Sequence, residues 1–153
     1  MKKKIRIGFL VLLFLFIAIQ FYRPARNVSK GQAEAPDIAK SFNVPADVKA
    51  ILQSSCYDCH SNHTNYVWYD YIQPAGMIVE NHIRNGKNVL NFNDWGNYSN
   101  RKKSRLLNSM KKQIETKEMP LPSYTMFHRK AGLDQNEFQT IISWLNRQID
   151  NND

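Results

Sequence analysis

Five consecutive residues, Cys56-Tyr57-Asp58-Cys59-His60, contain every cysteine of this 153-residue chain. Two thiols three positions apart, with an imidazole directly behind the second, leave few structures that can be built around them. A redox disulfide of the C-x-x-C type belongs after a strand in a βαβ setting, and no run of alternating apolar residues supplies one. Zinc can use Cys56, Cys59, His60 and His63, which are the right donor types for a tetrahedral site. Adjacent residues such as Cys59 and His60 rarely point at one ion, however, and a second ligand pair a dozen or more residues away is missing. Covalent haem accounts for the adjacency. The two sulfurs add to the two vinyl groups of the porphyrin, the two intervening residues span the gap, and His60 falls beneath the iron. One such motif means one haem c per chain.

The amino terminus limits where that chemistry takes place. Lys2, Lys3, Lys4 and Arg6 precede an apolar run from Ile7 to Tyr22 that only Gln20 breaks among its larger side chains. A helix of about 16–18 such residues is at the short end of what spans a ~30 Å hydrocarbon core at ~1.5 Å per residue. Bulky Phe21 and Tyr22 stand where a cleaved signal peptide wants small residues. Residues 1–23 therefore read as an uncleaved signal anchor, crossing the inner membrane once through residues 5–22 with the domain in the periplasm; the alternative is a cleaved signal with the domain exported. Thioether formation fits export, because the cysteines then neither pair nor oxidise. The net charge of +8 does not point to nucleic acid. Seven of the 21 basic residues and none of the 13 acidic ones lie in the first 30 positions, so the remainder is almost balanced. A local basic run, Arg101 to Lys112, reads as a solvated helix face, with docking to an acidic partner or a larger complex as the lesser reading.

Residues 24–42 mix Pro, Gly, Ala and charge without a period and read as a flexible tether. Four helical stretches follow within a domain over 43–150. Val44, Val48, Ile51 and Leu52 share a face of the first, which runs into Cys56. Pro74 opens the second and Gly86 closes it, with Met77, Ile78, His82 and Ile83 along one side. Leu106, Leu107, Met110 and Ile114 form the stripe of the third, which starts near Ser99 and must end by Met119, because Pro120 disfavours helix geometry in its predecessor. Asp134 and Glu137 make a capping box for the fourth, followed by Phe138, Ile141, Ile142, Leu145 and Ile149, with Trp144 widening the face. The fold class is all-α.

With His60 on one side of the iron, the occupant of the sixth position decides much of the chemistry. Met119, in "EMPLPSY" between a helix end and two prolines, is the favoured ligand, and His82 is the alternative. His63 is too close to His60 to reach the opposite face, Met77 and Met110 suit the core, and His128 lies in a turn. Tyr66, Trp68, Tyr69 and Tyr71 suit either walls around a macrocycle or ordinary packing. Arg84 and Lys87 are possible propionate partners.

The segments "CYDCHSNHTNYVWYDYIQP", "HIRNGKNVLNFNDW" and "EMPLPSYTMFHRKAGLDQNEFQTIISW" resemble the haem-binding domain family of c-type-cytochrome-like proteins, of Bacteroidetes type, over about residues 44–146. The resemblance implies a small cytochrome c-like helical domain with Cys56, Cys59 and His60 holding the haem. It also implies redox partners among cytochromes, oxidase modules or peroxidase modules. Val67 departs from the Pro expected before the Trp-Tyr pair. The resulting expectation is a membrane-anchored, periplasmic, mono-haem electron carrier rather than an enzyme. The alternative is a haem enzyme or a gas or peroxide sensor with an open or displaceable sixth site.

Overall fold

The computed structural model describes residues 2–29 and 37–151. Among these, helices and turns account for all regular structure, as expected of an all-α chain. The helices are α1 (Lys2–Ile19), α2 (Ile38–Ser41), α3 (Ala46–Ser55), α4 (Tyr57–His60), α5 (Ala75–Val89), α6 (Asn100–Glu115), α7 (Pro122–Phe127) and α8 (Gln135–Asp150). Short 3-10 turns lie at Trp68–Tyr71, Phe92–Asn97 and Arg129–Ala131.

The long helices begin where their caps dictate. Ser99 accepts from the Lys102 amide at the start of α6. At α8, Asp134 accepts from Glu137 N at 2.8 Å while the Glu137 carboxylate accepts from Asp134 N at 3.0 Å. A cap of this kind contributes about 1 kcal/mol. The core lies where α3, α6 and α8 meet, with Leu52, Leu107, Trp144 and Leu145 at most 1% exposed. Each such side chain contributes roughly 1.5–3 kcal/mol by leaving water. Phe42 joins this core between Trp95 and Trp144, with ring centroids 5.5 and 5.9 Å away.

Two helices depart from the periodic reading. α5 does not stop at Gly86 but continues to Val89, and its buried side carries Gly76 and Ile83, while Met77 and Ile78 are exposed. Gly86 serves close packing instead. A Cβ there would stand 2.9 Å from the Cys59 carbonyl oxygen and 3.3 Å from His60 Cε1. α6 ends at Glu115, short of Met119, because the chain turns left-handed at Lys117 (φ 59°). Lys117 N donates to Ile114 O and Glu118 N to Gln113 O, the paired bonds of a Schellman cap with lysine in the position usually held by glycine.

The expected spanning anchor is not supported. α1 devotes its first turn to cations, and from Ile7 to Ile19 it rises only about 20 Å, against a core of ~30 Å. Among the described residues no helix is long and apolar enough to cross a membrane. The segment after it is not free of the domain either. Gln20 and Gln73 exchange two bonds, from Gln73 N to Gln20 Oε1 at 2.9 Å and from Gln20 Nε2 to Gln73 O at 3.0 Å. The Asn27 side chain donates to Ser61 O and Thr64 Oγ1, each at 2.9 Å, and accepts from Lys87 Nζ at 2.6 Å. Of the stretch read as a tether over 24–42, residues 30–36 lie outside the described residues. Beyond them, α2 buries Ile38 completely.

Candidate functional site

A cleft of about 360 Å³ opens between α3–α4, α5, α6 and the segment from Met119 to Tyr124. Ile51, Leu90, Phe92, Leu106, Ile114 and Ile141 make its wall largely apolar. Cys56, Cys59 and His60 line one part and Met119 with Pro120 another, so tertiary packing brings together all four residues favoured by the sequence. His82 and Met110 line it as well.

The His60 ring is held in a single tautomer. A carbonyl oxygen only accepts, so the 2.9 Å contact between Nδ1 and Leu90 O puts the proton on Nδ1 and leaves the lone pair on Nε2. A metal-binding imidazole wants this tautomer and this kind of partner. Burial lowers the His60 pKa and favours the neutral ring, partly opposed by the carbonyls of Leu90 and Gly86. The Leu90 carbonyl is held in turn. Leu90 N donates to Gly86 O, and the following Asn91 bonds Asn62 Oδ1, Asp94 Oδ2 and Tyr98 Oη.

The two thiols are not bonded to each other. Burial, then the nearby Cys59 sulfur, pushes Cys56 up to about 12. Burial, then Asp58 and Asp70, pushes Cys59 up to about 11. Among the described residues no group of three or more His, Cys, Asp or Glu can hold a metal ion. His63 is exposed and borders a separate polar recess with Tyr57 and Asn93. The zinc reading therefore finds no support in the geometry of the described residues.

Met119 is placed by the end of α6. Its amide donates to Gln113 O at 3.1 Å, the same oxygen that closes the Schellman cap. Gln113 also lines the cleft, its side chain tied to Ser109 Oγ at 3.1 Å.

Several alternatives that the sequence left open are narrowed. Tyr66, Trp68, Tyr69 and Tyr71 are absent from the cleft wall. Trp68 is exposed, and Tyr66 and Tyr71 flank the Arg26 guanidinium, which lies 4.5 and 3.8 Å from their ring centroids. Lys87 binds Asn27 and Arg84 binds Asn81, so neither turns to the cleft. Met77 lies outside it, and His128 stacks on Tyr124 at 4.1 Å on the far side. In their place the cleft presents Ser55, Asn85, Ser109 and Gln113 as polar groups. Tyr124 was missed altogether. It lines the cleft and donates from its hydroxyl to Asp58 Oδ2 at 2.6 Å, so the second intervening residue of the cysteine motif is tied to the segment from Met119 to Tyr124. Burial, followed by Asp58, raises the Tyr124 pKa and keeps it a donor. No periodic signal marks Tyr124, because its role depends on a partner far away in sequence. Phe92 also lines the cleft, 5.9 Å from the His60 ring.

A helical domain with an apolar cleft, a lone-pair-bearing histidine and two protonated thiols on one wall has the donor set of a haem-binding protein. The haem-binding domain family matches residues 14–147, and the chain belongs to that family. The match begins inside α1 and so includes the root that docks on the domain. No curated protein matches the chain. No solved structure matches it.

Proposed function

We propose that this domain binds one haem c, which Cys56 and Cys59 would hold covalently and His60 and Met119 would ligate, and that it carries single electrons between redox partners. The observation that carries the reading is the meeting of these four residues in one cleft of otherwise apolar lining. Haem supplies an iron that exchanges between ferric and ferrous states. The chain supplies two protonated thiols for attachment and a histidine whose tautomer Leu90 sets. The apolar wall excludes water, and a thioether at the second position favours ferrous iron and raises the potential. Asn85, Ser109 and Gln113 are the polar groups available to the propionates. Partners are cytochromes or oxidase or peroxidase modules. The localisation we propose is the periplasmic face of the inner membrane, with α1 in lipid. There the long Lys2–Lys4 side chains reach toward headgroups and local thinning of the bilayer offsets the short apolar stretch.

His82 favours a second reading, since it lines the same cleft. If it rather than Met119 approaches the iron, the site becomes bis-histidine. If neither binds, it is open to peroxide or gases, with His82 as a distal acid–base group. Optical spectra of the haem-loaded chain, oxidised, reduced, and reduced under CO, separate these. A weak long-wavelength ferric band that disappears in Met119→Ala supports the carrier. Unchanged spectra in that variant point to His82, and ready CO binding by the unaltered protein points to an enzyme or sensor.

A further inference from the structure

Among the described residues, the exposed large hydrophobic side chains outside α1 are confined to its root, to 68–78, to Val89 and to α7; none comes from α3, α6 or α8. Trp68 is 75% exposed, Met126 71% and Phe127 68%. Half-buried Tyr69 contacts both Trp68 and Phe127, at centroid distances of 5.6 and 5.4 Å. Its hydroxyl meets the His128 ring nitrogens at 3.2 Å, which ties the turn at Trp68–Tyr71 to the end of α7.

This apolar face is fixed to the root of α1. Besides the Gln20–Gln73 pair, Gln73 Nε2 donates to Tyr22 O at 3.1 Å and Arg23 donates to Tyr71 O at 3.2 Å. Arg26 stacks on Tyr71 two residues ahead of that anchor. A chain bonded at so many points does not swing about residue 20. Wherever α1 enters lipid, the turn at Trp68–Tyr71 is held at its exit. Arg129 and Lys130, both exposed, follow directly after α7 and supply the charge that anionic headgroups attract.

We propose that the domain lies against the bilayer surface through Trp68, Tyr71, Ile72, Met126 and Phe127, with Arg129 and Lys130 facing anionic headgroups. This rests on the proposal that α1 is in lipid. Trp and Tyr favour the membrane–water interface because their apolar rings and polar tips match both sides of it. A lipid surface covers the patch and α1 together, whereas a protein partner on the patch would leave the outward side chains of α1 still to be covered. Tyr124 borders both the haem cleft and the groove lined by Phe127, so this posture brings that edge of the cleft toward the membrane.

The test uses the full haem-loaded chain in vesicles of phosphatidylethanolamine and phosphatidylglycerol, with a nitroxide on single cysteines replacing Leu12, Trp68, Phe127 or Arg105. The unaltered chain serves as the labelling blank. Relaxation by oxygen, which concentrates in lipid, is compared with relaxation by a water-soluble nickel chelate. The expected result is a severalfold higher oxygen-to-nickel ratio at 68 and 127 than at 105. A lipid-like ratio at 12 with water-like ratios at 68 and 127 overturns the posture and leaves the anchor standing. Water-like ratios at 12 as well overturn both. Shielding from both reagents at 68 and 127 identifies a protein cover and also overturns it. Met126→Cys, at an equally exposed site with no ring contact, repeats the reading should either aromatic replacement fail to fold.

Discussion

On one wall of the cleft, Cys56, Cys59 and His60 fall within a single short stretch, pressed by α5 at Gly86 and hydrogen-bonded to Leu90. On the other, Met119 hangs from the C-terminal cap of α6, placed by two amides that share the Gln113 carbonyl. The first wall is determined several times over, by covalent sequence, by burial and by a carbonyl aimed at Nδ1. The second depends on one turn in which a lysine adopts a left-handed backbone. The Cys56–His60 side tolerates little change, whereas the Met119 side can shift at smaller structural cost.

That contrast can be broken at graded levels. Replacing either attachment residue, Cys56→Ser or Cys59→Ser, removes one thioether, and the double replacement abolishes covalent haem, read as loss of haem stain on a denaturing gel. Retained stain in the double variant would sink the assignment. In the haem-free chain, thiols raised to about 11 and 12 expose little thiolate. Because deprotonation is disfavoured in the fold, alkylation at neutral pH is expected to run about a hundredfold or more slower than for ordinary cysteine, rising with pH at Cys59 before Cys56. Equal, fast alkylation of both would show that the wall is open. Gly86→Ala forces α5 away from Cys59 and is expected to cost about 1–3 kcal/mol, the range for overpacking, measurable by chemical denaturation of the haem-loaded chain. The smallest effect falls on the opposite wall. Lys117→Gly relieves the left-handed strain and is expected to stabilise by up to about 1 kcal/mol without altering the spectrum. A destabilised Lys117→Gly chain would mean that the lysine side chain contributes more than its backbone costs.

Much of the helical frame was legible because its causes are local. The Asp134–Glu137 box, the stripe from Ile141 to Leu145 and the Pro74 start all act within a turn or two of themselves. The proximal half of the site was legible for the same reason, since two sulfurs and an imidazole must be near one another when nothing but two residues separates them. The buried side of α5 was misjudged, because Met77 and Ile78 are as apolar as Ile83 and only the position of the neighbouring elements decides which is covered. Likewise the aromatic cluster from Tyr66 to Tyr71 has the composition of a cofactor wall, yet it packs on Arg26 and the root of α1 instead.

By itself, then, the order of residues determined an all-helical chain, a tight cluster of two thiols and an imidazole, and a basic, apolar amino terminus. Hydrogen-bonded caps, apolar periodicity and covalent adjacency need only near neighbours. Tertiary structure alone decided that Met119 lines the same cleft as His60, that Tyr124 binds Asp58 beside it, and that Gln20 and Gln73 bind the first helix to the domain. Each of those contacts joins residues far apart in the chain, and which distant pairs meet is settled only when α3, α6 and α8 bury their shared core.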